Sequence, residues 1–325
     1  MVDISGAFAD GIRSGWAQNL NQIDNPEFLD INSWLQGGSF NWVAASQESI
    51  ELDIRGSGNG FTSALAGEIS RFSCAAYESL LDAEPPLLAS RSLGWSLVRH
   101  YYATFYAAHA LLRIGGVSIT YISTETCRIL NYASSQQFGI SPRLTPGLYK
   151  VFNEPIDKGT VFIKKVSSGS GGSHQDMWSE FSDFLRKIEN EILLKNGCGE
   201  GALEAVRISG EIRTSLGLHG YAGWPSKIRN DLHYQHEYGV WFPYQLSRRQ
   251  SEILKSQLAK WKPNGDTDLS ILSDGDVLLK FSSLCNTTTH LLTFALQDIA
   301  DRSPVRSKGF VNQNPFKLLR HRKVL

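Results

Sequence analysis

The chain has 325 residues, 42% of them hydrophobic and 11% aromatic, enough for one large globular domain or two modest ones, and this composition excludes intrinsic disorder. Its 32 basic and 32 acidic side chains cancel, so bulk charge gives no support for broad nucleic-acid binding, and any basic surface must be local. Cys74, Cys127, Cys198 and Cys285 lie far apart with no C-x-x-C spacing, which speaks against a zinc site or disulfide framework and predicts reduced, buried thiols.

Residues 1–60 are rich in Gly, Asn, Ser and Asp, with scattered Trp16, Trp34 and Trp42, and read as an irregular or mixed segment. The start of the chain shows neither a basic nor an apolar leader region, so no signal peptide is expected. Helical periodicity begins at Leu65, Ile69, Phe72, Ala76 and Leu80, and Pro85-Pro86 is expected to stop it. A longer helix follows over about 90–114, with a stripe of Leu93, Leu97, Tyr101, Phe105, Ala108 and Leu112, ended by Gly115-Gly116. Its run from Tyr101 to Ile114 is the most apolar of the chain. It is too short and, with His109 and Arg113, too polar to span a membrane.

Ser123 is placed to cap a helix running to about Gln137. Residues 139–166 read as extended, with one or two short strands or a hairpin around Thr160-Val161-Phe162-Ile163. Gly169-Ser170-Gly171-Gly172-Ser173 reads as a flexible connector, the alternative being a mobile lid near His174, and Ser173 is placed to cap the next helix. Trp178, Phe181, Leu185, Ile188 and Ile192 then mark a helix. Further helices are predicted over about 201–215, from Pro225 to before Gly239, and over 246–261 and 275–301. The expected fold is mainly α: an elaborated helical bundle over 61–301 with a short β or irregular insertion, an irregular N-terminal segment over 1–60, and a basic C-terminal tail over 302–325.

The stretch Arg229-Asn230-Asp231-Leu232-His233-Tyr234-Gln235-His236-Glu237-Tyr238-Gly239 concentrates the chemistry. On one helix, Arg229, His233 and His236 fall at i, i+4 and i+7, on a single face. A fixed guanidinium beside titratable imidazoles suits metal-free phosphodiester cleavage. Arginine stabilises phosphate charge and histidine moves the protons. His236 would lie about 10 Å along the axis from Arg229 and His233 about 6 Å, so Arg229 and His236 of one chain would struggle to grip one phosphate. His236, in the last helical turn, would favour the imidazolium there and act as general acid, with His233 in reserve and Asn230 orienting the phosphate or bracing Arg229. The competing reading is a structural face in which Arg229 pairs with Asp231 or Glu237 while the histidines make polar contacts beside Trp224 and Trp241. Arg99-His100 and His109 on the long helix read as structural.

Two segments carry a family resemblance. Arg99-His100-Tyr101-Tyr102-Ala103-Thr104-Phe105-Tyr106-Ala107-Ala108-His109-Ala110-Leu111-Leu112 resembles the first helix of the HEPN superfamily, which often shows Tyr-Tyr-Ala-x-Phe, small residues and a Leu-Leu pair. Arg229, followed by Asn230 and, after six intervening residues counted from the arginine, by His236, resembles that superfamily's arginine–polar–histidine signature, and His236-Glu237-Tyr238 resembles the His-x-Tyr ending of a toxin subgroup, which marks Tyr238 as a candidate for modification. About ninety residues follow the motif, whereas in the superfamily it usually opens the last bundle helix. The resemblance implies a cytoplasmic, metal-independent endoribonuclease without cofactor, a toxin or antiviral defence effector. It would be a homodimer with two motifs in one cleft, using the RNA 2′-hydroxyl as nucleophile. The alternative it carries is a catalytically inactive scaffold that binds a companion protein or nucleic acid in a larger defence complex. A small-molecule-binding helical domain is a third reading.

From Arg302 onward there are seven basic residues and no acidic one: Arg302, Arg306, Lys308, Lys317, Arg320, Arg322 and Lys323. Such a tail suits contacts to an RNA or DNA backbone, and equally a solvated terminus that packs locally.

Overall fold

The computed structural model describes residues 3–24, 29–46, 49–89, 91–139, 141–154, 157–166, 172–219, 222–262 and 276–325. Among these the elements run α1 (Ile4–Arg13), α2 (Ile31–Gly37), β1 (Asn41–Ala45), β2 (Ser49–Asp53), α3 (Gly60–Ala89), α4 (Gly94–Ile114), β3 (Val117–Ile122) and α5 (Thr124–Phe138). They continue with β4 (Gly147–Asn153), β5 (Thr160–Lys165), α6 (Gly172–Asn196), α7 (Glu200–Leu216), α8 (Trp224–His233), α9 (Arg248–Leu258), α10 (Val277–Asp301), α11 (Phe310–Gln313) and α12 (Pro315–His321).

Helix α4 is the axis of the helical layer. Small residues (Ala103, Ala107, Ala108, Ala110) alternate with Leu97, Tyr101, Leu111 and Leu112, all fully buried, and α3, α6, α8 and α10 pack around it. A helix apolar on every side is stable only when covered on every side. Helix α10 shares this character, and its Thr288, Thr289 and Thr293 satisfy their hydroxyls on carbonyls one turn back, at 2.9, 2.9 and 3.0 Å.

The expected helical bundle with a short β insertion and an irregular N-terminal segment is corrected by a five-stranded antiparallel sheet in the order β1-β2-β5-β4-β3. Two of its strands come from residues 41–53, inside the segment expected to be irregular. Ile50 and Leu52 of β2, Tyr149 and Val151 of β4, and Val161 and Ile163 of β5 alternate inward. They form a second core with Ile31, Trp34 and Leu35 of α2, Phe61 and Leu65 of α3, and Leu130 of α5. The opposite sheet face carries Phe152 stacked on Phe162, with Lys164 over both rings. Strands of five to seven residues whose outer positions mix Phe152 and Phe162 with lysines leave little alternation to read, and β3 begins directly after the glycines that end α4.

Several local expectations hold. The Ser123 side chain accepts from the Thr126 amide at the start of α5, Pro225 sits in the first turn of α8, and α6, α7 and α9 lie where periodicity puts them. Others do not. Helix α3 runs on through Pro85 and Pro86 to Ala89, and Ser173 lies inside the first turn of α6 rather than capping it. Cys74 is half-buried and Cys198 exposed, while Cys127 and Cys285 are buried; all four are free thiols. The Gly/Ser connector over 167–171, and with it most of the lid, lies outside the described residues. Residues 302–325 fold back as α11 and α12, with Phe310, Val311, Phe316 and Leu319 buried and α12 against α3. Among the described residues no helix is long and apolar enough to cross a membrane.

Candidate functional site

The two segments that carry the HEPN resemblance meet where α8 crosses α4. The Arg229 guanidinium sits 5.3 Å from the centroid of the Tyr101 ring and 5.9 Å from that of Tyr234. Tyr101 Oη lies 2.9 Å from His174 Nδ1 on α6 and 3.1 Å from Ser226 Oγ on α8, so three helices converge on one phenol. Burial pushes the Tyr101 hydroxyl up from its usual value, against the Ser226 contact and the nearby Arg229 charge. Burial also lowers His174, and Arg229 lowers it further, which favours the neutral imidazole.

Arg229 does not make the structural ion pair that the competing reading requires. Asp231 is taken by Lys227 and by the Tyr238 hydroxyl, which donates at 3.0 Å, and Arg229 has no carboxylate partner among the described residues. Its Nε is buried without a hydrogen-bond partner. A half-buried guanidinium that lies against two tyrosine rings and lacks a carboxylate partner is prepared for an anion.

The histidines part company with the single-face geometry. Helix α8 ends at His233, and His236 stands beyond it in a left-handed conformation, φ 55°. Arg229 and His233 therefore share the helical face, and His236 does not. The last helical residue is His233, not His236. His233 stacks on Tyr234 at 4.7 Å and meets Trp95 edge-on at 5.3 Å, and its Nδ1 is buried without a partner. Trp95 meets Trp241 at 5.6 Å, and Trp241 meets the exposed His236 at 5.7 Å. The result is a continuous strip: Tyr101, Arg229, Tyr234, His233, Trp95, Trp241, His236. Trp95 is 54% and Tyr234 68% exposed and His236 is exposed, whereas Arg229, His233 and Trp241 are half-buried and Tyr101 is buried, so the strip opens to solvent at Tyr234, Trp95 and His236 and is closed at its Tyr101 end.

Asn230 is exposed and makes no side-chain hydrogen bond among the described residues, so it does not brace Arg229. Tyr238 is half-buried, and burial together with Asp231 raises its hydroxyl pKa, which keeps the phenol protonated. The seven basic residues Arg302, Arg306, Lys308, Lys317, Arg320, Arg322 and Lys323 are all exposed. Arg302 pairs with Asp298, and Arg320 donates to the Asn312 carbonyl. On α4, His100 is buried, with its ring nitrogens 2.8 and 3.0 Å from the carbonyls of Ser96 and Leu258. No group of three or more His, Cys, Asp or Glu side chains is placed to hold a metal ion among the described residues.

Sequence reasoning placed Arg229 and both histidines at the site but missed Trp95, Ser226 and the role of Tyr101, which the helical stripe presents as a packing residue. His174 stood out only as a neighbour of the connector. Contacts across three helices leave no spacing signal in the chain. No family model, curated protein or solved structure matches this sequence.

Proposed function

We propose that the chain is a metal-independent endoribonuclease of the HEPN type that takes single-stranded RNA along the Tyr101–His236 strip. The observation that carries the reading is the Arg229 guanidinium, which lies against two tyrosine rings where α4 and α8 meet and has no carboxylate partner among the described residues. Bases stack on sequence-tolerant aromatic surfaces such as Trp95 and Tyr234, while a cation grips the backbone between them. Arg229 anchors the scissile phosphate and stabilises the charge that builds on it. The 2′-hydroxyl attacks the adjacent phosphorus, its proton passes to one imidazole, and the 5′-oxygen leaves with a proton from another. His233 lies one helical turn from Arg229, with the Tyr234 ring touching both, and His236 stands at the far end of the strip. Two copies meeting face to face would bring the far-end imidazole of one to the arginine of the other, so the active form is a homodimer. The exposed basic side chains of α12 and its flanks add backbone contacts and salt dependence.

A binding-only scaffold for RNA or a companion protein is the second reading, favoured by the open faces of Trp95 and Tyr234, which need no chemistry to stack. Incubation of the purified chain with single-stranded RNA in excess EDTA separates the two. The enzyme leaves 2′,3′-cyclic phosphate and 5′-hydroxyl ends, and His236→Gly slows it. Intact RNA that is merely retarded in a gel rejects the enzyme.

A further inference from the structure

His174 also lines a cavity of about 860 Å³ that includes neither Tyr101 nor Arg229. This volume lies within the range of small-molecule sites, about 300–1,000 Å³. Part of its wall is a closed ionic network. Arg113 Nε donates to Glu68 Oε2 at 2.5 Å, and Ser118 Oγ and the Ile31 amide complete that carboxylate at 3.0 and 3.2 Å. Arg113 Nη1 donates to His109 Nδ1 at 3.0 Å, which fixes the hydrogen of this imidazole on Nε2. His109 is only 8% exposed and stacks on Phe72 at 4.8 Å, yet its Nε2–H has no protein acceptor among the described residues.

The rest of the wall is not self-satisfied. Arg71 donates to the Leu29 carbonyl and Lys165 to the Thr145 hydroxyl, and neither meets a carboxylate among the described residues. Asp176 has no cation partner among them either. Phe105 and Tyr106, both half-buried, add aromatic surface between these groups. Two cations without a carboxylate ask for an anion, a lone carboxylate for hydroxyl or amino donors, and an unpartnered imidazole N–H beside aromatic rings for an acceptor on a planar ligand. A simple anion leaves the rings and Asp176 unused, and an apolar ring leaves the cations unpaired.

We propose that this cavity binds a nucleoside phosphate, either as a free nucleotide or as the terminal residue of a strand. Arg71 and Lys165 hold the phosphate, Asp176 accepts from the ribose hydroxyls, and His109 Nε2–H donates to the base beside Phe105 and Tyr106. The site does not depend on the strip cleaving RNA.

The test is calorimetric titration of the full chain with the four ribonucleoside 5′-monophosphates, with inorganic phosphate and 5′-phosphorylated trinucleotides alongside. At least one nucleotide ligand is expected to saturate with Kd below about 1 mM. Lys165→Ala and His109→Phe should each weaken it about tenfold, the loss expected for one charge-assisted or buried hydrogen bond. Lys165 is exposed, so its variant keeps the fold even if His109→Phe does not. Equal affinity for monophosphate and trinucleotide assigns the site to a free nucleotide, and saturation by trinucleotide alone assigns it to a strand end. Absence of saturation by all of them, binding unmoved by Lys165→Ala, or inorganic phosphate binding as tightly as any nucleotide overturns the proposal.

Discussion

His109 is held between Phe72 and Phe105, with Arg113 donating to its Nδ1, and burial sets its pKa well below the ordinary 6.5. Burial likewise lowers His100, His174 and His290. Each group's native pKa lies below its unfolded value, so between the two the unfolded chain binds more protons and stability rises with pH. The contribution is complete above about pH 6.5 and is lost as pH falls towards the native values. Thermal melts from pH 8 to pH 5 should therefore be flat down to about 6.5 and then decline, and His109→Phe should make that decline shallower. An identical slope in the variant contradicts the assignment. At this scale the sequence is least informative. Arg113 and Glu68 are 45 positions apart, and nothing in either neighbourhood announces that they meet.

Helix α8 shows what an element adds to its residues. Pro225 opens it and Arg229 and His233 lie on it, both legible in the chain, but its end was not. The helix closes at His233, and the following residues turn through left-handed conformations at His236 and Tyr238, φ 55° and 67°, where a glycine would be the expected signal. The turn re-aims His236 onto Trp241, which packs in turn on Gly94 at the first position of α4. A Cβ at Gly94 would lie 2.2 Å from the Trp241 ring. Gly94→Ala should cost about 1–3 kcal/mol as the indole is displaced, and should loosen the contacts of Trp241 with Trp95 and His236. Denaturant unfolding followed by tryptophan fluorescence measures both, and an unchanged midpoint and spectrum would show that this packing does not hold the strip. The strands were harder to read than the helices for a related reason. Strand β2 shows its inward pair, Ile50 and Leu52, only within five residues, whereas α4 repeats its apolar stripe over 21.

At the scale of the whole molecule, the helical layer around α4 was legible because its periodicity is long and uninterrupted. The sheet was not, because its strands are gathered from residues 41–53, 117–122 and 147–165, and only long-range pairing makes them a sheet. The C-terminal segment shows the same limit. Its basic residues are exposed as composition suggests, but Phe310, Phe316 and Leu319 fasten it to the core, so it acts as a fixed basic surface rather than a free arm. With neutral overall charge, the RNA binding proposed above would rest on two local features, this surface and the aromatic strip. All of this converges on one side chain, and the decisive measurement is the rate of single-stranded RNA cleavage in EDTA by the intact chain and by Arg229→Ala, with melting curves recorded alongside. Cleavage by the intact chain is expected, with a loss of about 100-fold or more in the variant and its melting temperature preserved, the scale seen when one charge-stabilising donor is removed from an active site. Equal cleavage by the two proteins, or none by the intact chain, would contradict the proposed function.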